Sequence, residues 1–390
     1  MSGEAAPFVS VVVPTRNERR SIRACLDSIL ATDHPADRME VVVVDGRSRD
    51  GTRDILRRYA EEDGRVRTLD NPERRTPVAL NRGVEAARGD VILRMDAHTV
   101  YPPDYVPRCV EGLERHDADN VGGVWEIQPA EDTPTGRALA AVYGHPFGVG
   151  DAWYRTGVDA PREVDTVPFG CWRREVFEEL GGFDERLDRA QDLEFNLRLK
   201  RAGGRVVLDP SIHSRYLARS TLRKDLPHRA RSGFWTLYAL RFGDRSFSRR
   251  HLVPLGALAT GSALAAAALA GSVPAGSALA LLAALYVAAD VASAARIGAD
   301  EGAGVGLRAA VIFPALHLSY ALGQAAGLAA AAARRALDRL PGAPDLPETT
   351  GRGADEAPGP PAGGEAEAGG EARAGAEAPA ERPTRRETVP

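Results

Sequence analysis

The chain has 390 residues, a net charge of −4 and a pI near 6.1. That length is enough for one large or two modest domains with a substantial core, and the charge balance excludes a protein that binds nucleic acid through its bulk charge. Arginine carries nearly all the positive charge, because Lys200 and Lys224 are the only lysines. The three cysteines, Cys25, Cys109 and Cys171, are widely spaced and form no metal-ligand pattern, which fits a reducing compartment. The first seven residues are short and polar, so no signal peptide is expected there.

In chain order, residues 8–13 are a β-branched run closed by Pro14, the pattern of a buried parallel strand. Ile22, Cys25, Leu26, Ile29 and Leu30 then recur at helical spacing, which predicts an amphipathic helix over residues 18–31. Residues 40–44 read as a second buried strand, followed by a polar stretch at 45–52 and a helix that turns Ile55, Leu56 and Tyr59 inward. A short third strand is expected at 66–69. Thr76-Pro77 starts the next helix and Gly89 stops it. The apolar run Val91, Ile92, Leu93 and Met95 then leads into Asp96 and His98. Two residues apart in extended backbone, these two side chains share a face. A carboxylate and an imidazole there suit a divalent cation or a phosphate, at the strand end where open α/β sheets bind ligands. The strand–helix alternation predicts a Rossmann-like α/β fold, a mostly parallel sheet flanked by helices.

The second half is less regular. A strand is expected at 120–127, helices at 173–180 and 191–202, and a last strand at 205–208. A basic segment at 213–251, with Phe234, Trp235 and Tyr238 interleaved, leads into three uncharged runs at 252–270, 273–289 and 309–333. Each is close to the ~20 residues that a bilayer crossing needs. The expected organisation is a catalytic domain at 1–250, membrane helices at 251–335 making two or three crossings, and a disordered tail at 336–390 rich in Pro, Gly, Ala, Glu and Arg. Gly256, Gly261, Gly323 and Gly327 are candidates for close helix packing. Arg249, Arg250, Arg296 and Arg308 place the catalytic domain on the cytoplasmic side of the cell membrane. Arg334 and Arg335 conflict with three simple crossings, since they would then lie outside.

Five motifs in order carry a family resemblance. Val-Ser-Val-Val-Val-Pro-Thr-Arg-Asn-Glu ending at Glu18, Val-Val-Asp-Gly-Arg-Ser-Arg-Asp-Gly-Thr ending at Thr52, and Asp96-Ala97-His98 are three of them. Gly181-Gly182-Phe183-Asp184-Glu185 and Gln191-Asp192-Leu193-Glu194 complete the set. The sequence resembles the family-2 glycosyltransferases of GT-A fold, and within them the membrane-attached succinoglycan (exopolysaccharide) type. The resemblance implies a nucleotide-sugar donor, a UDP-sugar being expected, held by Pro14, Thr15, Glu18, Asp45 and Asp96. Arg231 and Trp235 take the place of the Arg-Trp motif of processive synthases and are candidate diphosphate and sugar contacts; a basic, aromatic membrane-interface anchor is the competing reading. The implied cofactor is Mn2+ or Mg2+ on Asp96, His98 and His213. Gly46 replaces the usual second acidic residue after Asp45, and Gln191 replaces the Glu before the expected base, Asp192. Asp192 opens a helix, where the dipole favours a carboxylate.

The expected activity is inverting transfer of the sugar to a hydroxyl of a polyprenyl-diphosphate-linked glycan, with membrane lipids and a polysaccharide assembly complex as further partners. The rivals are a polyprenyl-phosphate glycosyltransferase, a processive synthase, and a non-catalytic nucleotide-sugar-binding scaffold.

Overall fold

The computed structural model describes residues 6–242 and 247–338. The expected tail therefore lies outside the described residues from position 339 onward. Eight strands form one sheet: β1 (Val9–Thr15), β2 (Met39–Asp45), β3 (Val66–Asp70), β4 (Val91–Arg94), β5 (Asn120–Pro129), β6 (Arg162–Glu163), β7 (Cys171–Arg173) and β8 (Val206–Ala218). Their order is β3-β2-β1-β4-β7-β5-β8-β6. The β3-β2-β1-β4 half is parallel, with helices α1 (Ile22–Leu30), α2 (Thr52–Glu62) and α3 (Thr76–Ala86) as crossovers. β7 enters antiparallel between β4 and β5, and the parallel β5–β8 pair follows. Strand order reverses between β1 and β4, so a crevice opens above their C-terminal ends.

The first strands form because their residues have nowhere else to go. Every residue of β2 is buried, and Val9, Val11 and Val13 pack one face of β1 while Val12 packs the other. Two details depart from expectation. Helix α3 ends at Ala86, and Gly89 lies beyond it. A Cβ on Gly89 would stand 2.6 Å from both the Phe8 carbonyl oxygen and the Ser10 nitrogen, so glycine is needed there for close approach. Strand β8 runs on through Pro210 to Ala218, because β5 changes register between Gly122 and Val124 and accommodates the proline at that irregularity.

At the opposite edge of the sheet, Glu40 is fully buried. Its Oε1 accepts from the Ser10 hydroxyl at 2.7 Å and the Arg88 N–H at 2.7 Å, and its Oε2 accepts from Arg67 at 2.9 Å and the Arg88 guanidinium at 3.0 Å. One carboxylate thus ties together β1, β2, β3 and the start of β4. Burial alone would raise its pKa, but the Ser10 hydroxyl, the Arg88 N–H and the arginines hold it below its ordinary 4.5.

Beyond β4 come α4 (Tyr105–Arg115), α5 (Pro134–Tyr143), α6 (Pro146–Val149), α7 (Trp153–Thr156), α8 (Arg174–Leu180), α9 (Gln191–Arg201) and α10 (Leu222–Tyr238). Then follow α11 (Val253–Leu269), α12 (Val273–Glu301) and α13 (Ala303–Asp338), three helices long and apolar enough to cross a membrane. They differ in burial. None of α11 is buried, whereas α13 packs against α5 through Val305, Ala309, Ile312, Phe313 and Leu316 and against α10 further on. Gly323 and Gly327 make that second contact, since a Cβ on either would run into the carbonyl of Ala230 or Phe234 on α10. A Cβ on Gly256 or Gly261 would meet nothing within 4 Å among the described residues, so no close helix approach requires glycine there.

Replacing Glu40 with Ala strands Ser10 and the Arg88 N–H, and we expect a loss of about 2 kcal/mol in chemical denaturation of the detergent-solubilised protein. Because the folded pKa lies below the unfolded one, the Glu40 contribution is complete above about pH 4.5 and fades as the pH falls through the folded value. Wild type and variant therefore converge in acid.

Candidate active site

The crevice is framed by two loops that hydrogen-bond to each other. The Asn17 N–H donates to Ser48 Oγ at 2.8 Å, Glu18 N–H to Thr52 Oγ1 at 2.9 Å and Arg19 N–H to Asp50 Oδ2 at 3.0 Å. In return the Arg49 N–H donates to Asn17 Oδ1 at 3.0 Å. The first two motifs are therefore one scaffold, in which Asp50 also accepts from the Thr52 hydroxyl at 2.6 Å and sets the start of α2. Asp45 is buried under it. Its carboxylate takes the Ser48 hydroxyl at 2.5 Å and the Ser48 N–H at 3.1 Å, with Arg53 Nε at 3.5 Å.

Glu18 is aimed by Ser21, whose hydroxyl donates to Oε2 at 2.6 Å, and its Oε1 lies 3.6 Å from His98 Nδ1. Burial opposes charge on His98, yet Glu18 and Asp96 outweigh it and raise its pKa above the ordinary 6.5. Asp96 follows β4. Its Oδ1 accepts from Arg94 Nη2 at 2.7 Å, and its backbone N–H donates to the Tyr101 hydroxyl at 2.7 Å. Arg94, only 12% exposed, turns its other terminal nitrogen to Asp192 Oδ2 at 3.5 Å. Asp192 is held at the start of α9 by Ala190, a non-glycine residue in the left-handed region (φ 63°), a conformation that costs about 1 kcal/mol and is typical of functional sites.

All of this opens into one cavity of about 2560 Å³. Pro14, Thr15, Glu18, Asp96, His98 and Asp192 line it, and so do Arg231 and Trp235. The structure therefore brings these eight expected residues together. Asp45 stands just outside the lining, with Gly46 in its place. His213 is elsewhere: it sits on β8 opposite Val124, half exposed, with Nδ1 3.8 Å from Glu126. Among the described residues no group of three or more His, Cys, Asp or Glu side chains is arranged to hold a metal ion.

Two further residues on this wall escaped the sequence. Arg94 interrupts an apolar run at the last position of β4, and that interruption was its only signal. His228, on α10, accepts at Nδ1 from Arg219 at 3.0 Å and lies 3.3 Å from Arg189. Burial first, then the arginines around it, push its pKa down to about 2.

A parallel-sheet edge with crossed loops, a carboxylate–imidazole pair and a second carboxylate across a buried arginine make up the candidate site of this α/β domain. Residues 10–181 match the family described as Glycosyl transferase family 2. It is 35% identical over 214 residues to the succinoglycan biosynthesis protein ExoA of Rhizobium meliloti (strain 1021), covering 54% of this chain and 64% of that protein. It is 27% identical over 227 residues to a dolichyl N-acetyl-alpha-D-glucosaminyl phosphate 3-beta-D-2,3-diacetamido-2,3-dideoxy-beta-D-glucuronosyltransferase of Methanococcus voltae, covering 56% of this chain and 69% of that enzyme. Among solved structures, the mannosyltransferase PcManGT of Pyrobaculum calidifontis, in complex with GDP-Man and Mn2+, matches with a TM-score of 0.54 at 26% identity. That match covers 86% of this chain and 88% of the other. The fold is GT-A.

His228 yields a pH prediction. The unfolded chain takes up a proton near pH 6.5 that the folded protein refuses down to about 2, so stability rises with pH across that window. The melting temperature of wild type should fall between about pH 7 and about pH 5, and that of His228→Asn should fall less over the same interval.

Proposed function

We propose that this chain is a membrane-attached inverting glycosyltransferase that moves a sugar from a nucleoside-diphosphate sugar to a hydroxyl of a lipid-linked glycan in surface-polysaccharide assembly. The observation that carries this reading is the single cavity. It runs from Thr15, Glu18 and Asp96 past Asp192 to Val253, Leu258 and Leu318 on the apolar helices. A donor at the sheet edge and an acceptor anchored in lipid can meet there. The relatives support it: one is named for succinoglycan biosynthesis and another for transfer to a dolichyl-linked sugar phosphate. PcManGT holds GDP-Man, so the donor base is tested with GDP-sugars as well as UDP-sugars.

We read α11 and α12 as two membrane crossings and α13 as a helix lying along the boundary. Arg250, before α11, pairs with Asp151 and Asp165, and Ala294 and Ile297 near the end of α12 pack beside α5. The far end of α13 returns to the catalytic domain, where Arg335 donates to the Leu240 carbonyl. In this arrangement Arg250, Arg296, Arg308 and Arg335 share the cytoplasmic side, which removes the charge conflict of three crossings.

A divalent cation fits as a co-ligand of donor phosphate rather than in a closed protein cage. Asp96 commits only Oδ1 to Arg94, leaving Oδ2 without a protein hydrogen bond among the described residues, and His98 stands beside it in the cavity lining. Asp96 and His98 would hold Mn2+ or Mg2+, which when bound supplies positive charge against the leaving diphosphate. Asp192 takes the proton from the acceptor hydroxyl as it attacks the anomeric carbon from the face opposite the diphosphate. Arg94 fixes the position of that carboxylate relative to Asp96. The loop pair at Asn17 and Ser48 holds the donor end rigid.

The test is transfer from a panel of UDP- and GDP-sugars to extracted lipid-linked acceptors, with Mn2+ or a chelator. Asp192→Asn should retain donor binding and lose at least about a hundredfold in transfer rate. Arg94→Met should lower kcat more than it raises KM. Transfer that survives Asp192→Asn would point to an acceptor that needs no base, such as a lipid phosphate, and would overturn the hydroxyl assignment.

A further inference from the structure

Midway between Asp192 and the apolar helices, the cavity wall turns strongly cationic. Arg155 comes from α7, Arg219 from the residue after β8, and Arg229 from α10; all three line the cavity. The neutral His228 lies among them, its Nδ1 already engaged by Arg219. A carboxylate faces the group: Asp225, 3.8 Å from Arg219 and accepting from the Tyr143 hydroxyl at 2.9 Å. Arg155 and Arg229 also act on Asp225 electrostatically, but among the described residues neither has a carboxylate within ion-pair distance.

Their remaining contacts make them rigid without satisfying them. The Arg155 guanidinium sits within 4.5 Å of the Trp125 ring centre, 5.0 Å of Tyr143, 5.1 Å of Tyr216 and 5.3 Å of Tyr154. Its Nε donates to the Tyr154 hydroxyl at 3.3 Å, but its buried Nη1 has no hydrogen-bond partner among the described residues. Arg229 lies 5.3 Å over Tyr143 and donates Nη2 to the Gly148 carbonyl at 3.3 Å, and its buried Nε is likewise unpaired. A buried donor left unmade costs about 1–3 kcal/mol, and two guanidinium nitrogens on one wall share that cost. An anion with several oxygens removes it, and a planar guanidinium suits phosphate geometry in a way an ammonium does not.

We propose that Arg155 and Arg229, backed by Arg219, bind the phosphate or diphosphate head of the lipid acceptor. It rests on the lipid-linked acceptor proposed above and names the part of the cavity that holds it. The choice of lipid over a free anion follows from continuity: Val253, Leu258, Pro314 and Leu318 line the same cavity, so a chain attached to the bound head has an apolar path between α11 and α13. In this position the head is held while its glycan reaches toward Asp192.

The experiment uses the full chain in detergent and four probes: farnesyl phosphate, farnesol, inorganic phosphate, and UDP or GDP. Wild type should bind farnesyl phosphate well above farnesol and inorganic phosphate. Arg155→Gln and Arg229→Gln should each weaken that binding about ten- to hundredfold while nucleotide binding is unchanged. If a glutamine variant does not fold, Arg155→Lys and Arg229→Lys take its place; a loss of at least about threefold is expected, since lysine cannot reproduce the planar fork. Unchanged farnesyl phosphate binding in the folded variants overturns the proposal, and so does a loss that falls on the nucleotide instead. Inorganic phosphate that binds as tightly as farnesyl phosphate overturns the lipid assignment. If wild type transfers sugar to lipid while the variants bind farnesyl phosphate normally, only the arginine site fails. If the variants lose farnesyl phosphate but wild type transfers to no lipid acceptor, the site stands and the broader reading fails.

Discussion

A guanidinium can be buried at a strand end only if carboxylates meet it there, and Arg94 imposes that condition on everything around it. Asp96 answers from the same strand end at 2.7 Å and Asp192 from the start of α9 at 3.5 Å. The two carboxylates come from segments almost a hundred residues apart, and through Arg94 neither can move without uncovering a buried charge. The strained Ala190 is tolerated for the same reason, because it lets α9 begin where Asp192 reaches Arg94. The chemistry assigned to the two carboxylates thus depends on a residue with no assigned chemical step.

The rest of the catalytic half keeps that edge in place. At one end of the strands, Glu40 locks β1, β2, β3 and β4 with a single buried carboxylate. At the other, the loops after β1 and β2 exchange hydrogen bonds, so Glu18 reaches His98 from a fixed base. Rigid strands, one buried tie and crossed loops leave the cavity as the place where something else fits.

Much of this was legible in the sequence, for identifiable reasons. Continuous valine runs can only be buried strands, so β1 and β2 announced themselves, and Asp96 and His98 followed from where such strands end. The short β6 and β7 could not be read, because two or three residues carry no period. Gly89 was read as a helix stop, whereas the helix ends at Ala86 and glycine is needed for close backbone approach. The family resemblance implied His213 as a metal ligand, while the fold puts it on β8 beside Glu126. Arg155, Arg219, Arg229 and His228 were illegible as a group, since they converge from a short helix, a strand end and a later helix. Spacing along the chain says nothing about such a meeting.

The three apolar helices follow the same logic of burial. Three apolar runs look alike by composition, yet no residue of α11 is fully buried while α13 presses glycine against the backbone of α10. α12 stands between them, burying Asp290, Ala294 and Ile297, so burial grows from α11 through α12 to α13. The cavity is lined by both α11 and α13.

The most direct measurement is photo-crosslinking of a prenyl phosphate carrying a benzophenone in its tail to the full chain in membranes, with the labelled residues mapped by mass spectrometry. The account predicts labelling on the cavity-facing sides of α11 and α13, around Leu258 and Leu318. Labelling confined to segments away from the cavity would contradict the claim that the sheet edge and the lipid share one site.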